Sequence, residues 1–222
     1  MSRENLSLIV SKCNGDRGIL KNELEGRIGP SMLEKSEYEK DFLNSLPFDL
    51  TGAQLNVWDE IKNDLMAKTP MRRLLQGDVG SGKTLVGALA SLHSKSNGWQ
   101  TALLCPTEIL AEQHFNSFNG WFESIGVRVQ LLTGSTKAKE RKILIKDLAE
   151  GKIDILVGTH AIFQLGVEFK NLGLTVIDEQ HRFGVHQRFS MLEKGGLENQ
   201  SPHPLIMTAT PIPRTLAMTV YG

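Results

Sequence analysis

The residues most able to do chemistry lie in one run, Leu74-Leu75-Gln76-Gly77-Asp78-Val79-Gly80-Ser81-Gly82-Lys83-Thr84. From Gly77 to Thr84 it follows G-x-x-x-x-G-K-T without a mismatch, between a short apolar strand and a helix continuing through Leu85-Val86-Gly87-Ala88-Leu89-Ala90. That context is the one a phosphate-binding loop requires. Glycines let backbone N–H groups converge on phosphate oxygens, and the helix N-terminus adds positive potential where a triphosphate would sit. Lys83 would reach the β- and γ-phosphates, and the Thr84 hydroxyl would ligate Mg²⁺. A glycine-rich turn that binds nothing is the plainer alternative, and strand, turn and helix falling in register argue against it.

A second chemical cluster is Leu174-Thr175-Val176-Ile177-Asp178-Glu179-Gln180-His181, an apolar strand ending in two acids. Following a phosphate loop, Asp178 is placed to hold Mg²⁺ and Glu179 to orient or deprotonate an attacking water. Without that loop the pair would read equally well as a solvated turn. His181 and His186 lack zinc-ligand spacing, and neither cysteine is near. Adjacent acids at a strand end point in different directions, which excludes the flanking pair of a glycoside hydrolase.

The remaining polar loops are weaker signals. Met207-Thr208-Ala209-Thr210-Pro211 follows the last strand, where hydroxyls could bond the acids or a water, yet Thr and Pro also simply make turns. Thr107, Thr133, Ser135, Thr159 and His160 sit in three loops after apolar strands and suit contacts to a nucleic-acid backbone. Helix capping explains Thr107 and Ser135 as well, and composition alone favours it. Lys137, Lys139, Arg141, Lys142 and Lys146, interspersed with Glu140 and Asp147, read as a solvated helix face.

These loops need a scaffold that brings them together. Strands are expected over 72–76, 101–105, 127–132, 153–158, 174–177 and 205–208, and helices over 83–96, 108–124, 136–150, 185–193 and 213–219. Strand–helix alternation with nearly all-apolar strands implies an α/β fold with a parallel sheet covered on both faces. Ligands in such sheets bind at the carboxyl ends of the strands, so the loops can share one edge. Before the sheet, a helix over 51–68 carries the stripe Leu55, Trp58, Ile61 and Leu65, and Thr51 to Gln54 has capping-box spacing. Residues 32–46 form a weaker amphipathic helix, and the glycine-rich, charged stretch 11–30 reads as loops or a tail.

At 222 residues, the chain can hold one well-buried domain with an appendage, or at most two small ones. Its 40% apolar and 23% charged content is ordinary for a globular protein, and a net charge of +0 confines any polyanion surface to a local patch. Cys13 and Cys105 are expected to be reduced thiols. With no apolar run of membrane-spanning length and no signal-peptide core, a cytoplasmic location is expected.

Taken in order, these stretches resemble the first RecA-like motor lobe of superfamily 2 helicases and translocases, and in detail the RecG family of bacterial branched-DNA helicases. The matching segments are residues 77–84 (GDVGSGKT), 178–188 (DEQHRFGVHQR) and 208–217 (TATPIPRTLA), supported by 106–114 (PTEILAEQH), 158–164 (GTHAIFQ) and 46–54 (LPFDLTGAQ). Transcription-repair coupling factors share the phosphate loop and the TATPIPRT segment but usually depart at Glu108, Gln180 and Gln187. The resemblance covers roughly residues 40–222.

The resemblance implies a P-loop NTPase sandwich over residues 51–222 with an N-terminal extension over 1–50. It implies that Phe48 and Gln54 read adenine, that Lys83 and Thr84 hold phosphate and Mg²⁺, and that Asp178 and Glu179 are the metal and catalytic acids. Gln180 and His181 would sense the γ-phosphate. Thr208 and Thr210, with Arg182, Gln187, Arg188 and Arg214, would couple that sensing to movement on DNA. Thr107, Thr133, Ser135, Thr159 and His160 become candidate DNA-backbone contacts. The implied activity is Mg²⁺-ATP hydrolysis driving a monomeric motor on duplex or branched DNA, remodelling forks and Holliday junctions in recombination and repair. The family's wedge domain does not match residues 1–30, and its second lobe, with arginine fingers, would follow Gly222. Such a finger is worth roughly 10³–10⁵ in rate, so this chain alone is expected to bind ATP weakly and hydrolyse it slowly or not at all. The alternatives are the motor lobe of a transcription-repair coupling translocase and a non-catalytic nucleotide- or DNA-binding module.

Overall fold

Apolar runs of four to seven residues, each followed by a polar turn, become the strands of one seven-stranded sheet. The computed structural model describes residues 8–12, 27–35, 37–179 and 200–209. The strands are β1 (Leu8–Lys12), β2 (Arg73–Gly77), β3 (Gln100–Leu104), β4 (Val129–Leu132), β5 (Ile155–Gly158), β6 (Leu172–Asp178) and β7 (His203–Thr208), in the order β1-β2-β7-β6-β3-β5-β4. Strands β2 to β7 pair in parallel, and β1 closes one edge antiparallel to β2, with Leu8 opposite Gly77. The carboxyl ends of the parallel strands therefore lie along a single edge.

Alternation along the strands divides the core in two. Leu103, Ile155, Val157, Leu174 and Val176 face one cluster, whereas Ala102, Leu104, Leu156 and Ile177 face the other. The first face is covered by α1 (Glu37–Ser45), α2 (Gly52–Leu65), α3 (Lys83–Ser96) and α4 (Glu108–Phe122). Among the described residues the second is covered by α5 (Ala138–Ala149) and a 3₁₀ turn at His160–Phe163. The helices expected over 185–193 and 213–219 lie outside the described residues.

Besides the helix expected over 32–46, which spans only Glu37–Ser45, two features depart from the expected pattern. Leu55 is exposed, and the inward stripe of α2 is Gln54, Val57, Trp58, Ile61 and Leu65. The capping box fixes this phase: Gln54 N–H donates to Thr51 Oγ1 at 3.3 Å and Thr51 N–H donates to Gln54 Oε1 at 2.9 Å, so the first turn starts with Gln54 facing in. The other departure is the N-terminus, expected as loops from residue 11. Leu8-Ile9-Val10, rich in β-formers, begins an edge strand running through Lys12, and further on, within residues 27–35, Ile28 bridges Gln200, Gly29 N–H donates to Lys68 O and Met32 is buried in the core. Buried His203 holds that second segment, accepting from Met71 N–H at 2.8 Å and donating from Nε2 to Pro30 O at 2.9 Å.

Candidate nucleotide and DNA site

The phosphate loop occupies the turn from β2 into α3. Gly80 and Gly82 are left-handed, with φ of 84° and 88°, and a Cβ at Gly82 would also collide with the amide nitrogen of Gln54. Gly82 is the N-cap of α3 and has no side chain to satisfy the helix's first amides. Lys83 Nζ folds back onto the carbonyls of Gly77 (2.6 Å) and Asp78 (3.0 Å). Burial pushes its ammonium below the ordinary lysine range, while the charges of Asp178, Glu179 and Asp78 pull the other way. The hydroxyl of Ser81 is buried without a partner among the described residues. An uncapped helix start, a hydroxyl orphaned among the described residues and an ammonium resting on carbonyls form a donor set that suits phosphate.

The acids reach this loop from β6. Asp178 pairs in register with Met207 of β7, which itself pairs with Leu75 of β2, so the end of β6 stands level with a point two residues before the end of β2, one strand away. Glu179 has φ of 51°, a left-handed conformation costing roughly 1–3 kcal/mol for a residue with a Cβ. Its N–H donates to Met207 O at 2.9 Å, and its carboxylate accepts from Ala209 N–H at 2.9 Å, with the Thr208 hydroxyl 3.5 Å away. Asp178, 9% exposed, has its Oδ2 at 2.7 Å from Nε2 of His114 on α4. Below it, burial and the Asp178 charge push the Cys105 thiol far above its usual range. Among the described residues no three His, Cys, Asp or Glu side chains come together. A divalent ion here would take Thr84, Asp178 and nucleotide phosphates as ligands, a set characteristic of Mg²⁺.

Phe48 and Gln54 line a recess of about 110 Å³ beside Gly80, Ser81 and Gly82. Besides capping its own helix, Gln54 donates from Nε2 to Ser81 O at 2.9 Å. The capping reading therefore holds together with a direct tie to the phosphate loop.

The other loops follow β3, β4 and β5, which are neighbours in the sheet. Thr107 caps α4, accepting from Leu110 N–H at 3.3 Å. Ser135 does not cap a helix: its N–H and hydroxyl donate to the two carboxylate oxygens of Glu108, at 3.2 and 2.9 Å. Thr107, Ser135 and His160 are exposed. Thr133 is 4% exposed with its hydroxyl bonded to Ser135 at 2.8 Å, and Thr159 is 2% exposed with no partner for its hydroxyl among the described residues. Gly158 is enforced by close packing, since a Cβ there would overlap the carbonyl oxygen of Leu132. Lys137, Lys139, Lys142 and Lys146 project to solvent from the start and outer face of α5, with Arg141 half-buried.

Phe48, Gln54, the phosphate loop, Thr84, Asp178, Glu179 and Thr208 thus gather around the β2, β6 and β7 ends, and the proposed DNA contacts around the β3, β4 and β5 ends. Gln180, His181, Arg182, Gln187, Arg188, Thr210 and Arg214 lie outside the described residues. Two participants had no role assigned from sequence, His114 and Glu108. The signal for His114 was a histidine among Ala111, Phe118 and Phe122 on the buried stripe of α4.

The DEAD/DEAH box helicase family profile matches residues 51–219. The chain is similar to the ATP-dependent DNA helicase RecG of Pasteurella multocida (strain Pm70), at 56% identity over 188 residues, covering 85% of this chain and 27% of that protein. To the protein of the same name from Bacillus subtilis (strain 168) it is 58% identical over 181 residues, 82% of this chain and 26% of that one. The chain therefore spans about a quarter of the length of the curated relatives it matches. Among solved structures, RecG bound to a three-way DNA junction matches with a TM-score of 0.80 and 43% identity, over 91% of this chain and 27% of that chain. The DUF1998 helicase MrfA, at a TM-score of 0.65 and 21% identity over 85% of this chain and 32% of that one, shares the fold.

Proposed function

The chain belongs to the DEAD/DEAH box helicase family, and we propose that it is the nucleotide-binding lobe of an ATP-driven DNA translocase that remodels forks and Holliday junctions in recombination and repair. The observation that carries this is convergence: the Lys83 ammonium lies within the electrostatic reach of Asp178 and Glu179, at an uncapped helix N-terminus. Lys83 leaves the carbonyls of Gly77 and Asp78 for the β- and γ-phosphates, and the loop amides from Asp78 to Lys83 share the negative charge. Thr84 and Asp178 would hold Mg²⁺, whose positive charge would offset the negative charge of the phosphates. Glu179, already steered by Ala209 N–H, takes the proton of the attacking water. Phe48 stacks on adenine and Gln54 reads its edge.

Because Glu179 is bonded to Ala209 N–H and lies beside Thr208, a change at the catalytic acid reaches the segment proposed to couple hydrolysis to movement. Gln180 and His181 sense the γ-phosphate in this reading, with Arg182, Gln187, Arg188, Thr210 and Arg214 completing the coupling. Thr107, Ser135 and His160 meet the DNA backbone, and buried Thr133 and Thr159 shape the loops that present them. RecG bound to a three-way DNA junction is a relative consistent with branched DNA as the partner. In the complete motor, a monomer in the cytoplasm, residues 51–222 form the lobe and residues 1–50 an extension that adds β1 to its sheet. A second lobe supplies arginine fingers and a wedge domain engages the junction.

The test is nucleotide binding and turnover in the Glu179→Gln variant. ATP affinity is expected to stay within about threefold of wild type, with turnover in the two-lobed motor falling by at least roughly 10²-fold. Unchanged turnover would remove Glu179 from the mechanism and overturn this reading.

A further inference from the structure

Resting on the nucleotide-site reading above, we propose that His114 is a positioning residue for the Mg²⁺-holding acid: its imidazole fixes the Asp178 carboxylate so that one oxygen is committed to protein and the other is aimed at the metal. The imidazole Nε2 stands 2.7 Å from Asp178 Oδ2, a distance typical of a charge-assisted hydrogen bond. A carboxylate only accepts, so the hydrogen between them sits on Nε2. Both side chains are nearly buried, which removes water as a competing partner and makes the bond directional.

The imidazole is itself held. His114 lies on the inward stripe of α4 with Ala111 and Phe118, and its ring meets the Phe118 ring edge-to-face at 85° and 6.5 Å. Asp178 is held from the opposite direction, by the pairing of β6 with β7 and by the Glu179 N–H bond to Met207 O. With the backbone of the acid fixed by the sheet, its remaining freedom is rotation of the carboxylate. The His114 bond removes that freedom at Oδ2, leaving Oδ1 as the oxygen His114 does not engage. Outer-shell partners of metal-binding carboxylates typically contribute 10–100-fold to metal affinity.

Mg²⁺ titrations of the 222-residue chain with a fluorescent ADP analogue test this, reading the Mg²⁺ midpoint for enhanced nucleotide binding alongside affinity in EDTA. His114→Leu is expected to raise the midpoint by about 10–100-fold while leaving the EDTA affinity unchanged. His114→Gln carries an amide N–H to nearly the same reach and is expected to return the midpoint to within about threefold of wild type. A Leu variant with the wild-type midpoint overturns the inference. Leu and Gln variants equally impaired also overturn it, because ring packing rather than the hydrogen bond would then be responsible. A wild-type chain with no Mg²⁺-dependent nucleotide binding would instead overturn the nucleotide-site reading, and this inference with it.

Discussion

Glu108, in the first turn of α4, grips Ser135 with both carboxylate oxygens, accepting from its N–H at 3.2 Å and from its hydroxyl at 2.9 Å. An N–H and an O–H converging on two oxygens of one anion is also how a backbone phosphate would be bound. The carboxylate thus occupies the donors proposed for DNA.

Replacing Glu108 with Gln weakens the internal acceptor and removes a charge that repels phosphate. Glu108→Gln is expected to bind a short duplex about two- to tenfold more tightly at low salt, with the gain shrinking as salt rises. Fluorescence anisotropy across a salt series measures it. Affinity equal to or below wild type would show that Ser135 does not exchange Glu108 for phosphate.

Gln54 caps α2 together with Thr51, and it alone carries the proposed reading of adenine. Thr51→Ala removes the hydroxyl that caps α2 and is expected to cost about 1 kcal/mol in chemical denaturation while leaving the preference for ATP over GTP intact. Gln54→Ala also removes the bond to Ser81 O, and is expected to lose both stability and that preference. Base preference surviving Gln54→Ala would assign Gln54 to structure alone.

Acid should loosen the clamp at the N-terminal segment. Desolvation lowers the pKa of His203 from 6.5 to about 4, opposed by its bond to Pro30 O and by Asp64, with His93 adding to the fall. The unfolded chain takes up this proton near 6.5 and the folded chain only near 4, so the contribution is complete above 6.5 and lost as pH falls towards 4, by up to about 3 kcal/mol. His93, itself lowered chiefly by burial, acts in the same direction. Urea denaturation between pH 7 and pH 4 should show the loss, and His203→Gln should flatten the curve. An unchanged slope in that variant would place the acid sensitivity elsewhere.

Sequence is most informative where it dictates backbone. The glycine spacing from Gly77 to Gly82 specifies a turn that needs left-handed residues, and the structure places left-handed Gly80 and Gly82 there, between β2 and α3. Apolar runs likewise mark β2 to β7, because strands buried on both faces need no polar alternation. Side-chain partnerships are harder to see. His114 and Asp178 lie far apart in the chain, and a histidine on an apolar stripe reads as core until the opposite strand end is known. Nothing local distinguishes exposed Thr107 from buried Thr159, since both follow apolar strands and only the tertiary packing separates them. Strand β1 was missed because its short apolar run gives way to a glycine-rich, charged stretch.

Lys83, with the loop amides, is proposed to hold a triphosphate opposite Asp178. Titrating ATP into the wild-type chain and the Lys83→Ala variant, with Mg²⁺ and in EDTA, tests it most directly. Saturable binding by wild type that Mg²⁺ strengthens is expected, with loss of at least roughly 10²-fold in affinity on removing the ammonium. Equal affinity of the two proteins for ATP would contradict it.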